Sequence, residues 1–320
     1  MIQISDIQIF ILSYNRGVYI GETIKSLLSQ TVAPEKIYIL DNGSTDNTEE
    51  FVKDRFDDRL IFIGSDQNNG VLWNFERAQL LANKRYVMVF HDDDLLHPRY
   101  LEFVLASLNK YSDVSVVASG MVATSNPSSG GWRNYNFKPV VFNYLSGFAG
   151  YVYFGFPFNF GSVVYKTEYF KNTKIDFETF GKIADRPFVF DCVKDGKVIL
   201  LPGQFVQYRL HSGQDSGTNK NGPYPKETLA LHLRYKNIIF SGSWIDKIRY
   251  RLNIYFYMKN EFSRFPSAPD FAFKKYRQNA IDVDVLEGID MFCGLLSKVF
   301  LVRYLYKAYR LFARTFGQMS

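Results

Sequence analysis

An acidic run follows directly after a short apolar segment in the first third of the chain. Tyr86 to Phe90 has the composition of a buried β-strand, and the next residues are His91, Asp92, Asp93 and Asp94. Neighbouring carboxylates repel one another unless a counter-ion balances them. Mg²⁺ and Mn²⁺ prefer oxygen ligands, and such an ion also stabilises the charge of a departing diphosphate. The run therefore predicts a divalent-metal site; the alternative is a solvated loop that caps the following helix.

A second carboxylate, Asp41, follows another apolar segment, Lys36 to Leu40. A carboxylate at this place can accept a hydrogen bond from the imide N–H of a uracil or thymine base. It can equally cap the turn at Gly43, as Asp and Asn do in many loops. The residues alone leave both interpretations open.

Two positions in the second half of the chain carry groups suited to catalysis. Asp185 suits a general base that takes a proton from a hydroxyl group, although Pro187 also fits a helix start with Asp185 as its N-cap. His211 stands two residues after Arg209. A lone histidine is more often structural than a ligand, but this pair can reach a diphosphate or its metal.

Apolar segments alternate with segments of helical spacing along the first part of the chain. This alternation predicts parallel strands in a doubly wound sheet, whose ligands bind beyond the carboxyl ends of the strands. The predicted strands are Ile7–Leu12, Lys36–Leu40, Leu60–Ile63 and Tyr86–Phe90, and the predicted helices are Ile20–Leu28 and Trp73–Ala82. Polar residues follow all four strands, so we expect Ser13 to Asn15, Asp41, Asp66 to Asn69 and the acidic run to converge.

The pattern changes from Val114 onwards. A strand at Val114–Ala118 is followed by loops rich in Ser, Pro, Gly and aromatic residues, which indicate a substrate-facing half. Two short strands, Val198–Leu201 and Phe205–Leu210, come next. The loop residues that we expect to select the acceptor are Trp132, Phe158 and Asn159.

The composition is that of a globular protein, with 47% hydrophobic and 22% charged residues. Two cysteines, Cys192 and Cys293, are too few for a disulfide framework and favour a reducing compartment. We see no signal-peptide pattern and no stretch of about 18 uninterrupted apolar residues that indicates a transmembrane helix. The sequence also lacks a dinucleotide fingerprint, a P-loop, a G-x-S-x-G elbow and a zinc-type Cys/His spacing.

Six segments, in order, resemble the family 2 glycosyltransferases of GT-A fold, of the inverting type that builds bacterial cell-surface polysaccharides. Each segment alone is a weak signal, but their order over roughly Ile7 to Ser216 is specific. The resemblance implies an α/β fold, with a Rossmann-like nucleotide-binding sheet, helices on both of its faces and a C-terminal helical segment. The six segments are Ile11–Arg16, Asp41–Asp46, Asn68–Gly70, Phe90–Asp94 with Pro98, Ala184–Pro187 and Tyr208–His211.

The resemblance also implies roles for single residues. Asp93 would be the main ligand of Mn²⁺ or Mg²⁺, with Asp94 and His211 beside it, and Asp185 would be the catalytic base. One position departs from the family, because many relatives carry Asp where this chain has His91. The residues that would bind the nucleotide, with Asp41 at the base and Asp92 near the ribose, are Ser13, Tyr14, Asn15, Arg16, Asp41, Asn69, Asp92 and Arg209.

The resemblance implies transfer of a sugar from a nucleotide-diphosphate donor, UDP-sugar first and dTDP-sugar second, to a glycan or a lipid-linked saccharide. Residues 1–225 would form the catalytic domain, with the nucleotide half at about 1–110 and the acceptor half at about 111–225. We keep two alternatives. A nucleotidyltransferase of related fold would need a Gly-rich basic loop after its first strand, and a non-catalytic membrane-associated scaffold would tolerate loss of the acids.

Residues 226–320 are predicted to form a helical, basic region. From His232 to Ser320 there are 15 Lys and Arg and 7 Asp and Glu, so this part has a net charge of +8. The whole chain has a net charge of +6, and the remainder therefore carries −2. The last basic residues share one predicted helical face, opposite an apolar face, and they are Arg303, Lys307, Arg310 and Arg314. A helix of this kind is typical of proteins that bind an anionic membrane surface, so we expect a cytoplasmic protein on the inner face of the cell membrane. The alternative is docking on the catalytic domain; no nucleic-acid recognition module is present.

Overall fold

The computed structural model describes residues 1–53, 57–128, 131–132, 138–143, 145, 148–149, 158–193, 196–212 and 225–241. These residues fall into two compact units. The first holds the described residues up to Leu145 and those from Phe158 to Ser212. The second holds Phe148, Ala149 and the stretch that starts at Pro225. The division into a catalytic region, 1–225, and a helical region, 226–320, stays a prediction.

Nine strands of the described residues form one sheet with the order β3-β2-β1-β4-β8-β6-β9-β5, and β7 pairs with β9 as well. The strands are β1 Ile7–Ser13, β2 Ile37–Asp41, β3 Leu60–Ile63, β4 Tyr86–His91, β5 Leu95–Leu96, β6 Val114–Thr124, β7 Val140–Phe142, β8 Val164–Lys166 and β9 Lys197–Arg209.

The first four long strands confirm the parallel half that the sequence predicted. β1 lies between β2 and β4, and all three are parallel, with Ile9 opposite Ile37 on one side and Met88 on the other. Successive side chains of a strand point to opposite faces of the sheet. Ile9 and Phe10 are both fully buried, so both faces of this half are covered.

The other half departs from a purely parallel arrangement, because β8 runs antiparallel to both β4 and β6. In addition, β9 is continuous where two strands were predicted on either side of Pro202 and Gly203. Proline lacks a backbone donor and glycine weakens a strand, which is why these residues suggested a break. The register between β6 and β9 shifts at Ser119 and Gly120, and this bulge absorbs both residues.

Eight helices and three short 3₁₀ turns are described. The helices are α1 Ile20–Leu28, α2 Thr48–Lys53, α3 Val71–Leu81, α4 Tyr100–Lys110, α5 Thr167–Asn172, α6 Phe177–Phe180, α7 Asp185–Asp191 and α8 Pro225–Phe240, and the turns are Ile4–Asp6, Phe160–Ser162 and Gly181–Ile183. The helix α1 has the predicted bounds, and it buries Ile20, Ile24 and Leu27, which share one helical face.

Within the described ranges, no helix combines the length and the apolar character that crossing a bilayer requires. The basic amphipathic helix predicted around Arg303 to Arg314 lies outside the described residues, so its proposed membrane contact stays a prediction.

The centre of β1 generates a stability prediction. Ile9 is fully buried between two neighbouring strands, so Ile9→Ala should lower the free energy of unfolding by about 2–5 kcal/mol, through lost burial and the cavity left behind. Leu80 on α3 is 77% exposed, and Leu80→Ala should change stability by no more than about 0.5 kcal/mol. Urea unfolding measures both values, and equal losses would contradict this placement of the core.

Candidate functional site

The acidic run lies where β4, the end of β9 and the start of α1 meet. His91 is the last residue of β4 and pairs with Leu12 of β1. The strand β5 begins directly after the run, and its first residue, Leu95, lies opposite Gln207 in antiparallel register. In that register Asp93 faces Arg209. The topology therefore brings residues from opposite ends of the first unit to one edge of the sheet.

Asp92 lies against the loop that follows β1. Its Oδ2 accepts a hydrogen bond from the Tyr14 backbone N–H at 3.1 Å, and its Oδ1 lies 3.5 Å from Nε of Arg16. Burial, followed by the charge of Asp93, raises the pKa of Asp92 to about 7, although Arg16 acts in the opposite direction. The carboxyl group is therefore held by the same loop that was predicted to bind the nucleotide.

Asp93 is contacted by two basic side chains. His211 Nε2 lies 3.0 Å from its Oδ2, and Arg16 Nε lies 3.9 Å from the same atom. The main chain of Asp93 is held as well, since its carbonyl oxygen accepts a hydrogen bond from Arg209 Nε at 2.8 Å. The structure thus brings together the predicted metal ligands Asp93 and His211.

Asp94 is fully buried, and its Oδ1 accepts a hydrogen bond from the Arg209 backbone N–H at 3.0 Å. His91 Nδ1 lies 3.3 Å from its Oδ2. Burial raises the pKa of Asp94. For His91, burial acts to lower the pKa, but the hydrogen bond with Asp94 and the charges of the three carboxylates outweigh it and raise the pKa to about 9.

The donor atoms of this edge fit a divalent cation. His91, Asp93 and Asp94 each offer one ligand atom, and these three atoms lie within 4.8 Å of one another. Two carboxylates with an imidazole form a donor set that Mn²⁺ accepts readily, since carboxylate oxygens suit Mn²⁺ and imidazole suits the transition metals. The predicted set named Asp93, Asp94 and His211, and His91 was not included in it.

The helix α1 holds the acidic run from the opposite side. The Thr23 hydroxyl lies 3.1 Å from the carbonyl oxygen of Asp92 and 2.9 Å from that of Asp94. Glu22, one residue earlier, forms an ion pair with the Arg209 guanidinium. The ring of Tyr19 packs against that of His211 in a tilted arrangement, with a centroid distance of 4.4 Å and an interplanar angle of 37°. The sequence analysis missed Tyr19, Glu22 and Thr23, because their partners lie far away in the sequence: 69 and 71 positions for Thr23, and 187 for Glu22.

The loop after β1 is locked to the loop after β2. Asn15 has a positive φ of 52°, its backbone N–H donates to Ser44 Oγ at 2.8 Å, and its Oδ1 accepts from the Thr45 N–H at 2.8 Å. Asparagine tolerates this left-handed conformation better than most residues. The predicted nucleotide residue Asn15 is therefore part of a rigid junction between two strand ends.

Asp46 extends the same junction. Its Oδ2 accepts from the Gly17 backbone N–H and its Oδ1 from the Thr48 backbone N–H, both at 3.0 Å. The Arg16 backbone N–H in turn donates to the Thr48 hydroxyl at 3.0 Å. A Cβ on Gly17 would lie 2.0 Å from Asn47 Oδ1 and 3.3 Å from the Thr48 backbone nitrogen, so a larger residue there would displace the Asn47 side chain.

Asp41 ends β2 and is buried. Its Oδ2 accepts from the Ser44 backbone N–H at 2.8 Å and its Oδ1 from the Ser44 hydroxyl, so the turn-capping interpretation is observed. Gly43 has a φ of 72°, and a Cβ there would lie 2.3 Å from the carbonyl carbon of Gln67. Ser13, paired with Asp41 across the two strands, is also buried. Base binding by Asp41 remains a prediction, and it would add to the capping contacts.

Asn69 lies in the turn beside this strand end. Its backbone N–H donates to Asn42 Oδ1 at 3.1 Å, and the Asn42 amide donates to Asn68 Oδ1 at 2.9 Å and to the Gly70 carbonyl at 3.0 Å. The turn is thereby tied to the end of β2, as the predicted convergence requires. The side chain of Asn69 itself donates to the Gln67 carbonyl at 3.0 Å.

Asp185 is the first residue of α7, and the preceding Ala184 occupies the N-cap position. The interpretation of Asp185 as an N-cap is therefore wrong: it is one residue inside the helix, and Pro187 is the third helical residue. Burial raises the pKa of Asp185, and the positive charges of Arg186 and His91 lower it. His91, at the end of β4, is therefore close enough to Asp185 for its charge to affect that carboxyl group.

An aromatic cluster positions α7. Phe188 packs against four other rings with centroid distances between 5.0 and 6.3 Å, those of Phe75, Phe160, Tyr165 and Phe170. Phe160 also stacks on His91, with a centroid distance of 6.1 Å. Phe160 therefore connects the helix of Asp185 to the end of β4.

The three residues predicted to select the acceptor lie at different places. Phe158 bridges to Gly120 of β6, and the Asn159 backbone N–H donates to the Ser119 carbonyl at 3.1 Å. Trp132 packs edge-on against His97, with a centroid distance of 5.2 Å. Their role in acceptor choice stays a prediction.

Comparison with known protein families places this site in a family. The family model described as "Glycosyl transferase family 2" matches residues 8–173, a little over half of the chain. The match includes β1, β2 and the acidic run, and it ends before Asp185 and Arg209.

Relatives carry related descriptions. An uncharacterized glycosyltransferase of Haemophilus influenzae is 22% identical over 255 residues, which is 76% of this chain and 75% of that protein. The abequosyltransferase RfbV of Salmonella typhimurium is 29% identical over 41% of this chain and 42% of its own length. A chondroitin synthase of Escherichia coli is 31% identical over 32% of this chain and 15% of its own length.

Solved structures match along nearly the whole chain. The crystal structure of S. aureus TarS 1-349 in complex with UDP-GlcNAc has a TM-score of 0.59 and 17% identity, and the match covers 98% of this chain and 90% of that one. Against a longer TarS structure the TM-score is 0.53, with 43% of that chain covered. At this identity the likeness shows the fold alone, and it confirms the predicted α/β GT-A class.

The junction at Asp46 generates a pH prediction. Burial alone would raise the pKa of Asp46, but hydrogen bonds from Thr48 and Gly17 lower it below the usual 3.8. Because the folded state binds this proton less readily than the unfolded state, the contribution to stability is present above pH 4 and is lost as the pH falls through the lowered value. Asp46→Asn should therefore lower the melting temperature at pH 7, and the difference from the unsubstituted protein should shrink towards pH 3.

Differential scanning calorimetry at several pH values measures this difference. Glu50→Gln removes a carboxylate from the exposed face of α2 and serves as the matched control, with no change expected in either condition. A difference for Asp46→Asn that grows towards low pH would contradict the assigned hydrogen bonds.

Proposed function

The chain belongs to glycosyl transferase family 2, and on that basis we propose that it transfers a sugar from a UDP-sugar, with dTDP-sugar second, to a glycan or lipid-linked saccharide with inversion at the anomeric carbon. The observation that carries this proposal is the buried acidic run at the end of β4, which is contacted by the loop after β1 and by the end of β9. A nucleotide-sugar transferase needs both a site for the diphosphate and a base for the acceptor.

The donor assignment is supported by the fold and by a bound ligand of a neighbour. TarS, whose fold this chain shares, is described in complexes with UDP-GlcNAc and with UDP. In this chain the two locked loops would bind the nucleotide, with the base at Asp41 and the ribose at Asp92. The other residues that we propose for nucleotide binding are Ser13, Tyr14, Asn15, Arg16, Asn69 and Arg209.

The metal would be Mn²⁺ or Mg²⁺, held by Asp93 and Asp94 with His211 at the edge of the site. When bound, it would stabilise the negative charge of the leaving diphosphate as a Lewis acid. Arg16, which lies close to Asp93 Oδ2, and Arg209, which donates to the Asp93 carbonyl, would bind the diphosphate oxygens as well.

In the proposed reaction, Asp185 takes the proton of the acceptor hydroxyl as its oxygen attacks the anomeric carbon. The new bond between that oxygen and the anomeric carbon forms on one face of the sugar, and the bond to the diphosphate oxygen breaks on the other. A single displacement of this kind inverts the anomeric configuration. The position of Asp185 in α7, which Phe160 connects to His91, supports its assignment as base.

A saccharide acceptor is supported by the names of the relatives, among them an abequosyltransferase and a chondroitin synthase. Attachment to the membrane through the basic C-terminal helix would bring the site to a lipid-linked acceptor. Family membership supports a glycosyltransferase activity over that of a nucleotidyltransferase. The presence of every candidate acidic residue supports an enzyme over a non-catalytic scaffold.

The donor is tested by thermal shift with UDP, dTDP, GDP and CDP, each with and without Mn²⁺. A ligand at one hundred times its dissociation constant stabilises the folded state by about 2.7 kcal/mol. UDP should raise the melting temperature most, and only with Mn²⁺. Asp93→Asn should lose the dependence on Mn²⁺. A larger rise of the melting temperature with GDP or CDP, or no rise with any nucleotide, would contradict the donor assignment.

The base is tested by Asp185→Asn. We expect kcat to fall by about 10²–10⁴-fold, because the asparagine cannot accept the proton of the acceptor hydroxyl. The KM for the donor should stay unchanged. Glu178→Gln, in the exposed part of α6, is the matched control and should retain activity. Steady-state rates with a saccharide acceptor measure both, and full activity of Asp185→Asn would make another group the base.

A further inference from the structure

The ring of Tyr19 lies between two residues from the end of β9. Its centroid is 4.4 Å from that of His211, and the Arg209 guanidinium carbon lies 5.0 Å from the Tyr19 centroid. A cation over a tyrosine face and an imidazole packed at an angle against that ring are both favourable contacts. One side chain at the N-cap of α1 therefore contacts two of the three basic residues that contact Asp93, Arg209 and His211.

Those two basic residues fix Asp93 at different points. Arg209 holds its carbonyl oxygen through Nε, at 2.8 Å, and His211 contacts its Oδ2, at 3.0 Å. Arg209 also donates from its backbone to Asp94. A rotation of either side chain would therefore shift the carboxylates that are proposed to bind the metal.

Two features fix Tyr19 itself. Its backbone N–H donates to the Arg16 carbonyl at 2.8 Å, and the following helix α1 begins one residue later, so the backbone of Tyr19 is set by a turn and a helix start. Glu22, one turn along α1, forms the ion pair with Arg209 on its other side. The guanidinium is thus oriented by a ring and a carboxylate that both come from the start of α1.

We propose that Tyr19 is a positioning residue for the metal and diphosphate site, with Glu22 as its partner. It acts through Arg209 and His211, which it holds in register with Asp93, and it does not touch the reacting atoms. This inference rests on the proposed metal at Asp93. Groups that orient metal ligands typically change metal affinity by about 10–100-fold when they are removed.

The test measures Mn²⁺ affinity directly, by electron paramagnetic resonance of free Mn²⁺ in the presence of UDP. Tyr19→Leu removes the aromatic face and should weaken Mn²⁺ binding by about tenfold. Tyr19→Phe keeps the ring and should bind Mn²⁺ as the unsubstituted protein does. Glu22→Gln keeps the shape but removes the charge, and it should weaken Mn²⁺ binding to a smaller extent than Tyr19→Leu.

Kinetics separate positioning from a purely structural role. For Tyr19→Leu we expect a raised KM for the donor at limiting Mn²⁺ and recovery of kcat at saturating Mn²⁺. Val18 is 83% exposed and adjacent in sequence, so Val18→Ala is the matched control and should leave Mn²⁺ affinity unchanged. If Tyr19→Leu lowers the melting temperature but binds Mn²⁺ normally, Tyr19 is structural only and the proposal is overturned.

The same titration distinguishes this proposal from the one on which it rests. If the unsubstituted protein binds no Mn²⁺ with UDP, the metal assignment at Asp93 is wrong, and the role of Tyr19 falls with it. If the unsubstituted protein binds Mn²⁺ and both Tyr19 variants bind equally well, the metal site stands and only the positioning role is rejected.

Discussion

The burial of three adjacent carboxylates at the end of β4 is the constraint on which the rest of the first unit depends. Asp92, Asp93 and Asp94 are each no more than 9% exposed. Buried carboxylates need hydrogen bonds or opposite charges, because desolvation of an unpaired charge costs several kcal/mol. Apart from His91, the groups that contact the three carboxylates come from elements that are far apart in sequence.

This constraint explains why a mixed sheet serves the site better than a purely parallel one. The parallel strands β1 and β4 place Tyr14 and Arg16 beside Asp92. Arg209, the last residue of β9, contacts both Asp93 and Asp94, and His211 follows two residues later. The strand β9 pairs antiparallel with β5 directly after the acidic run. The bulge at Pro202 and Gly203 keeps β9 continuous up to Arg209, so that the strand can pair with β7, β6 and β5 along its length.

Much of the nucleotide half could be predicted from the sequence, because its signals are local. An apolar strand followed by polar residues is visible within ten positions, and the convergence of Asp41 with the acidic run follows from parallel pairing alone. The contacts of Tyr19, Glu22 and Thr23 could not be predicted in this way. Glu22 meets Arg209 across 187 positions, and nothing in the helical spacing of α1 marks that partner.

The errors had local causes too. Pro202 and Gly203 have the chemistry of a strand break, and only pairing on both sides of β9 shows that they form a bulge. Asp185 followed by Pro187 has the spacing of a helix cap, yet the helix begins one residue earlier, with Ala184 at its N-cap. In both cases a local preference was overridden by tertiary packing, which a single sequence does not display.

His91 shows how one departure from the family pattern connects the two halves of the site. An aspartate at this position would have no ring to place against Phe160. His91 stacks on that ring and also lies 3.3 Å from Asp94 through Nδ1. Phe160 in turn packs on Phe188 of α7, the helix that carries Asp185. The imidazole therefore joins the buried acids to the aromatic cluster, and its positive charge acts on carboxylates on both sides, Asp94 and Asp185. A residue that breaks the acidic pattern thus supplies the packing and the charge that hold the two halves in one arrangement.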